Sequence, residues 1–161
     1  MEILIDNRQT RIEADWGELG KKAERILGQL GCSHSAVLSI ALVHSDEMAD
    51  LNLKYRGKQS PTNVLSFSQL EGPASEFRVE LLGDVVLCTD VAADDAVALG
   101  YSNDEMLVYL LIHGILHVVG YDHSLPQDES AMSSKLEEIF QEFFPRDTEP
   151  ASFSQNPSQL R

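Results

Sequence analysis

The apolar positions of this chain change period several times, and each change predicts an element. "EILIDN", residues 2–7, alternates and reads as a strand, with "TRIEA", residues 10–14, as a second short one. Asp15 and Glu18 form a D-x-x-E start signal for a helix running to about Leu30 and ended by Gly31. "SAVLSIALVH", residues 35–44, is a β-rich apolar strand. In "SDEMADLNLKYR", Met48, Leu51 and Tyr55 fall at helical spacing, with Ser45 as the expected N-cap. "NVLSFSQ", residues 63–69, alternates again, "EGPASEF" is a turn-rich connector, and "LLGDVVLC" is a further strand in which Gly83 marks a bulge or a close backbone approach. "TDVAADDAVALG" reads as a short helix capped by Thr89 and stopped by Gly100. Ser102 and Glu105 make a capping box that opens the most apolar helix, ending near Val119. A last amphipathic helix spans about Gln127–Phe144, with Met132, Leu136, Ile139 and Phe143 on one stripe.

About four strands interspersed with helices predict an α+β fold, a single domain over residues 1–145 built on one mixed sheet flanked by helices. The polar, Pro/Ser-rich residues 146–161 read as a disordered tail. The start of the chain lacks a basic and apolar leader, so no secretion signal is expected. The apolar run Met106–Val119 contains two histidines and falls short of the roughly 20 residues a membrane span needs. Cys32 and Cys88 are too few for a disulfide framework and form no CxxC pair, so they read as buried free thiols of a reducing compartment. Together these features predict a cytoplasmic protein with no membrane partner.

Net charge is −14, which by itself argues against a nucleic-acid partner. Its distribution changes that picture. Residues 1–78 are close to balanced, whereas no Lys or Arg occurs between Arg78 and Lys135. A polyanion could dock only against the face supplied by the first half. The acidic half reads most simply as a solubilising surface.

"LLIHGILHVVGYDHS", residues 110–124, carries the candidate chemistry. His113, His117 and His123 stand at i, i+4 and i+10, the spacing of the metzincin zinc signature, but Gly114 stands where that signature has its general-base Glu. Residues four apart share a helix face, so His113 and His117 project side by side. Gly120 allows a left-handed C-cap reversal that carries His123 back toward the pair. Three imidazoles with an open fourth position suit Zn2+ at the end of the central apolar helix. A structural zinc would want a fourth Cys or His, and none is in sequence range. Asp122 is placed either to orient a ligand histidine or to cap the turn. His34 and His44 read as surface or strand-end residues. Without the Glu a peptidase is disfavoured, and glycine at 114 reads as clearing space beside the metal for a bulky or charged group.

The second block is "LNLKYRGKQSPTNVLSF", residues 51–67, with Lys54, Arg56 and Lys58 as the tightest basic cluster. Alone it reads as a solvated helix end whose cations complement the helix dipole. Together with "LLGDVV" and "HGILHVVGYDH", it resembles, from about residue 40 to 123, the YbeY family of bacterial rRNA maturation factors, which are metal-dependent endoribonucleases. Ser68 departs from that pattern, in which a Pro often follows the S-F pair. The resemblance implies one zinc held by His113, His117 and His123, with Arg56 facing it across a cleft as the catalytic residue. It also implies single-strand-specific cleavage of ribosomal RNA precursor rather than DNA, notably at the 3′ end of 16S rRNA, and contact with the small ribosomal subunit and its assembly proteins. In that scheme Arg56 clamps the phosphate while Lys54 and Lys58 steer the strand. Tyr55 is a candidate for base stacking, and Phe67 reads as core. Two rival readings carry different chemistry. One is a zinc hydrolase of another substrate, and the other a non-enzymatic ribosome-assembly factor whose zinc is mainly structural.

Overall fold

The structure is a computed structural model in which residues 1–69, 81–121 and 125–146 are described. Among these residues four strands, β1 (Glu2–Asn7), β2 (Val37–Val43), β3 (Val64–Ser68) and β4 (Leu81–Cys88), form one sheet in the order β1-β2-β4-β3. β1, β2 and β4 run parallel, and β3 pairs antiparallel to β4 at the edge, with Leu65 opposite Val86. Among the described residues five helices surround it: α1 (Trp16–Gln29), α2 (Ser45–Arg56), α3 (Thr89–Leu99), α4 (Asn103–Val118) and α5 (Pro126–Phe143). This is the expected α+β domain with a mixed four-stranded sheet.

Alternation along the strands divides the core between the two sheet faces. On one face, Leu38, Ile40, Leu42, Val64, Val85 and Leu87 pack with α1, α4 and α5. On the other, Val43, Leu65, Val86 and Cys88 pack with Met48 of α2 and Val91 of α3. Twelve of the 16 residues of α4 are buried, which makes it the central helix of the larger layer and leaves it little solvent face.

Three sequence expectations change in their local detail. Residues 10–14 form no strand, because the Gln9 side-chain amide already satisfies Ile12: its Nε2 donates to the Ile12 carbonyl at 2.9 Å and its Oε1 accepts from the Ile12 N–H at 2.8 Å. Ser45 is not the cap of α2 but its first residue, His44 being the N-cap. The first-turn Ser45 N–H, which has no partner within the helix, is met by Asp90 Oδ2 at 2.8 Å. Burial pushes the Asp90 carboxyl up, but that N–H and His44 together outweigh it and hold it below its ordinary value. Thr89 likewise opens α3 as a helical residue behind Cys88, and its hydroxyl donates to the Val43 carbonyl instead of capping. Cys88 is buried as expected, and burial raises its thiol pKa, whereas Cys32 is only half-buried. The connector over 71–77 and the tail beyond 146 lie outside the described residues.

Gly83 is a close approach of β4 to β3. Its φ is +146°, and a Cβ there would fall 2.0 Å from the Phe67 carbonyl oxygen. The β2–β4 register shifts beside it, between Val37 and Leu38, so the expected bulge is present.

Candidate active site

α4 begins with the predicted capping box: Ser102 Oγ accepts from the Glu105 N–H at 3.0 Å, and Glu105 Oε1 accepts from the Ser102 N–H at 3.1 Å. Burial pushes the Glu105 carboxyl up, but the Ser102 N–H and Arg146 outweigh it and keep its pKa low. The acidic first turn complements the positive end of the helix dipole.

At the other end, all four terminal carbonyls find donors. Ile115 O accepts from Val119 N at 3.0 Å, Leu116 O from Tyr121 N at 2.9 Å, and His117 O from Gly120 N at 3.1 Å. These bonds, with Gly120 at φ +110°, are a Schellman reversal of the kind the sequence predicts. The fourth carbonyl, that of Val118, accepts from Ser68 Oγ of β3 at 2.9 Å.

His113 and His117 sit on this last stretch of α4. Their ring centres are 4.7 Å apart with planes at 81°. Two imidazoles on one tetrahedral zinc, each with Zn–N near 2 Å, place their ring centres roughly 5 Å apart, so the pair fits a shared small cation. His113 is buried, at 9% exposure, and His117 is half-buried. His117 Nδ1 donates to the Tyr121 carbonyl at 3.1 Å, which makes Nε2 the nitrogen carrying the lone pair. That backbone bond is the outer support a metal-ligating histidine characteristically has. Among the described residues no group of three His, Cys, Asp or Glu gathers to hold a metal, and His123 and Asp122 lie outside them.

Gly114 has a different role from the one its sequence position suggests. It does not open space beside the histidines. A Cβ there would lie 2.7 Å from Val85 Cγ1 and 3.2 Å from both Ser66 Oγ and Val64 Cγ2. The glycine therefore lets α4 settle onto β3 and β4, and a glutamate at this position would be driven into the sheet.

Arg56 ends α2, followed by Gly57 in the left-handed conformation, and Lys54, Arg56 and Lys58 are all exposed. α2 and α4 lie on opposite faces of the sheet, and edge strand β3 touches both. From α2, Tyr55 meets Phe67 edge-on at 4.9 Å between ring centres. From α4, Gly114 O accepts from Ser66 Oγ at 3.0 Å. Phe67 is thus packed against the smaller core, as expected, and Tyr55 remains 55% exposed beside the Lys54 ammonium. A groove of about 380 Å³ opens on this face, with Asp6, Glu47 and Asp84 outnumbering Arg8. Arg8 is itself held by Asp6 and Glu47, so the groove interior is acidic.

His44 closes β2. It accepts from the Thr10 N–H at Nε2, at 3.1 Å, which leaves Nδ1–H to donate to Asp90 Oδ2 at 3.1 Å. It is a structural tie at the strand end, and His34 is exposed. The residues that sequence reasoning missed are Ser66 and Ser68. Their alternation on β3 was visible, but their carbonyl partners on α4 were not.

A mixed sheet crossed by a buried helix, with paired imidazoles on that helix's last turns, defines an α+β chain with a candidate metal-dependent site at one helix end. A family model described as endoribonuclease YbeY matches residues 4–144. Among similar proteins, the endoribonuclease YbeY of Geobacter sulfurreducens is 39% identical over 142 residues, covering 87% of this chain and 94% of the relative. That of Salinispora tropica is 41% identical over 141 residues, covering 82% and 89%. The solution structure of a Thermotoga maritima protein superposes with a TM-score of 0.64 at 25% identity, covering 98% of this chain and 95% of that one. The chain belongs to the endoribonuclease YbeY family, a family of nucleases. No helix among the described residues is long and apolar enough to cross a membrane.

Proposed function

We propose that this chain is a zinc-dependent, single-strand-specific endoribonuclease that acts in the cytoplasm on ribosomal RNA precursor, at the 3′ end of 16S rRNA, in contact with the small ribosomal subunit and its assembly proteins. An endoribonuclease role follows from the family. The observation that carries the metal-dependent reading is the His113–His117 pair, with ring centres 4.7 Å apart and the His117 tautomer set by the Tyr121 carbonyl.

His113, His117 and His123 would hold the zinc. When bound, it supplies Lewis-acid polarisation of a phosphoryl oxygen and acidifies water. The chain's own residues supply binding and orientation. The phosphate path runs along the exposed Lys54–Arg56–Lys58 edge and not into the groove, where three carboxylates would repel it. Arg56 offers a planar fork of donors matched to two phosphate oxygens, which offsets charge building there during cleavage. The exposed ring of Tyr55, steadied by Phe67, offers a face on which a base can stack. RNA brings its own 2′-hydroxyl nucleophile, so the missing carboxylate at position 114 is no obstacle. With a net charge of −14, free RNA binds weakly at physiological salt, and the ribosomal subunit supplies the remaining affinity.

The test compares wild type, His117→Ala and Arg56→Ala for metal content and for cleavage of a 16S 3′-precursor strand, free and within the small subunit. Wild type is expected to carry about one zinc and cut. His117→Ala should lose zinc and cleavage, and Arg56→Ala should lose cleavage while keeping its zinc and its melting temperature. A zinc-loaded wild type that cuts neither substrate would replace the nuclease with an assembly factor.

A further inference from the structure

The two serines of β3 stand out because of what they bond. They are two residues apart on one strand, so their side chains leave the same sheet face, roughly 7 Å apart. They meet two carbonyls of α4 that are four residues apart, a helical rise of about 6 Å. Ser66 Oγ donates to Gly114 O at 3.0 Å and Ser68 Oγ donates to Val118 O at 2.9 Å. The strand repeat and the helix repeat therefore match at two points, and Gly114, lacking a Cβ, lets the elements come close enough for both bonds.

The bracketed turn, 114–118, contains His117 and follows His113 directly. The two carbonyls differ in what they need. Gly114 O lies inside the helix and takes the hydroxyl on a second lone pair. Val118 O is the terminal carbonyl that the Schellman bonds leave over, since those serve only Leu116 and His117. Without Ser68 it would be left without that donor, and the last turn could loosen to seek one. The Tyr121 carbonyl that receives His117 Nδ1–H belongs to the same reversal, so its place depends on that turn holding.

We infer that Ser66 and Ser68 are positioning residues for the histidine pair, acting through α4: they fix the axial place of its last turn and thereby the orientation of His117. This rests on reading the pair as a metal site, and its effect is on metal affinity. Each hydroxyl–carbonyl bond is an ordinary neutral one, and its loss should weaken zinc binding roughly 2- to 10-fold.

The experiment uses the full chain as wild type, Ser68→Ala, Ser68→Thr and Ser68→Val, the last two alike in shape and differing in the hydroxyl. Zinc affinity is measured by competition with a chelating dye, and the tautomer of His117 by nitrogen NMR of the metal-free protein. Ser68→Ala and Ser68→Val are expected to bind zinc 2- to 10-fold more weakly and to lose part of the fixed Nδ1–H signature, with Ser68→Thr restoring both. Ser66→Ala should act in the same direction. Equal affinity and an unchanged His117 signature in Ser68→Ala would overturn the inference, as would a Thr variant no better than Val. A wild type that binds no zinc sinks the metal reading instead. The metal-free tautomer comparison then decides the positioning role alone: a signature lost in Val and kept in Thr upholds it, and an identical one refutes it.

Discussion

Replacing Gly114 by alanine sets two opposed effects against each other in the middle of α4. A glycine inside a helix costs about 1 kcal/mol relative to alanine, so the substitution should help by that much if nothing touched the new methyl. Here the methyl would lie 2.7 Å from Val85 Cγ1, with Ser66 Oγ and Val64 Cγ2 both at 3.2 Å. Ordinary carbon–carbon contact begins near 3.5 Å, so α4 and the sheet must part by about 0.8 Å locally. Val85 cannot turn aside readily, being fully buried and β-branched. Overpacking of this kind costs about 1–3 kcal/mol, and the parting also stretches the Ser66–Gly114 hydrogen bond. The net expectation is a loss of about 0–2 kcal/mol. Gly28 supplies the internal comparison. It lies near the end of α1 with nothing within 4 Å of its added Cβ, so Gly28→Ala should gain up to about 1 kcal/mol. Denaturant unfolding of both variants tests the argument. If Gly114→Ala is stabilised as much as Gly28→Ala, the close approach of helix and sheet is wrong, and so is the account of why no glutamate stands at 114.

Two further expectations follow from the fold. Gly83→Ala should destabilise by about 3 kcal/mol or more, because the methyl meets the Phe67 backbone at a positive φ; an unfolding midpoint equal to wild type would contradict the bulge geometry. Asp90→Asn should cost about 1–2 kcal/mol at pH 7, where the ionised carboxylate accepts from Ser45 N and His44. Since the folded-state pKa of Asp90 lies below its ordinary value, that stability is complete above the unfolded pKa and lost as pH falls through the folded one. The melting-temperature gap between wild type and Asp90→Asn should therefore narrow below about pH 4, and a gap that stays constant to pH 2 would refute this.

What the sequence revealed and what it hid divide along a physical line. Features local to one element were legible: the capping box of α4, the Gly120 reversal, and the shared face of His113 and His117 all depend on spacing within a few residues. Features made by two elements were not. Ser45 reads as a cap because no sequence rule announces that Asp90, 45 residues away, already serves its N–H. "TRIEA" reads as a strand until the Gln9 amide is seen to occupy Ile12. Gly114 looks like cleared space because the motif comparison marks which residue is missing and not which surface that face of the helix meets. Arg56 is placed correctly at a helix end. Which face of the sheet its helix packs on depends on strand order, which a single chain read in one dimension does not contain.

α4 is anchored at both ends before any ligand arrives. Ser102 and Glu105 close its first turn, with Arg146 paired to Glu105, while Ser68 and the Gly120 reversal close its last. The entropy of ordering two imidazole side chains, about 0.5–1.5 kcal/mol each, is therefore spent when the chain folds and not when an ion binds. A site so prepared selects by fit. On the proposed metal reading, a cation that needs a different spacing of nitrogens would have to deform a rod embedded in the core, which would place discrimination between metals in the stiffness of the helix as much as in the chemistry of the ligands.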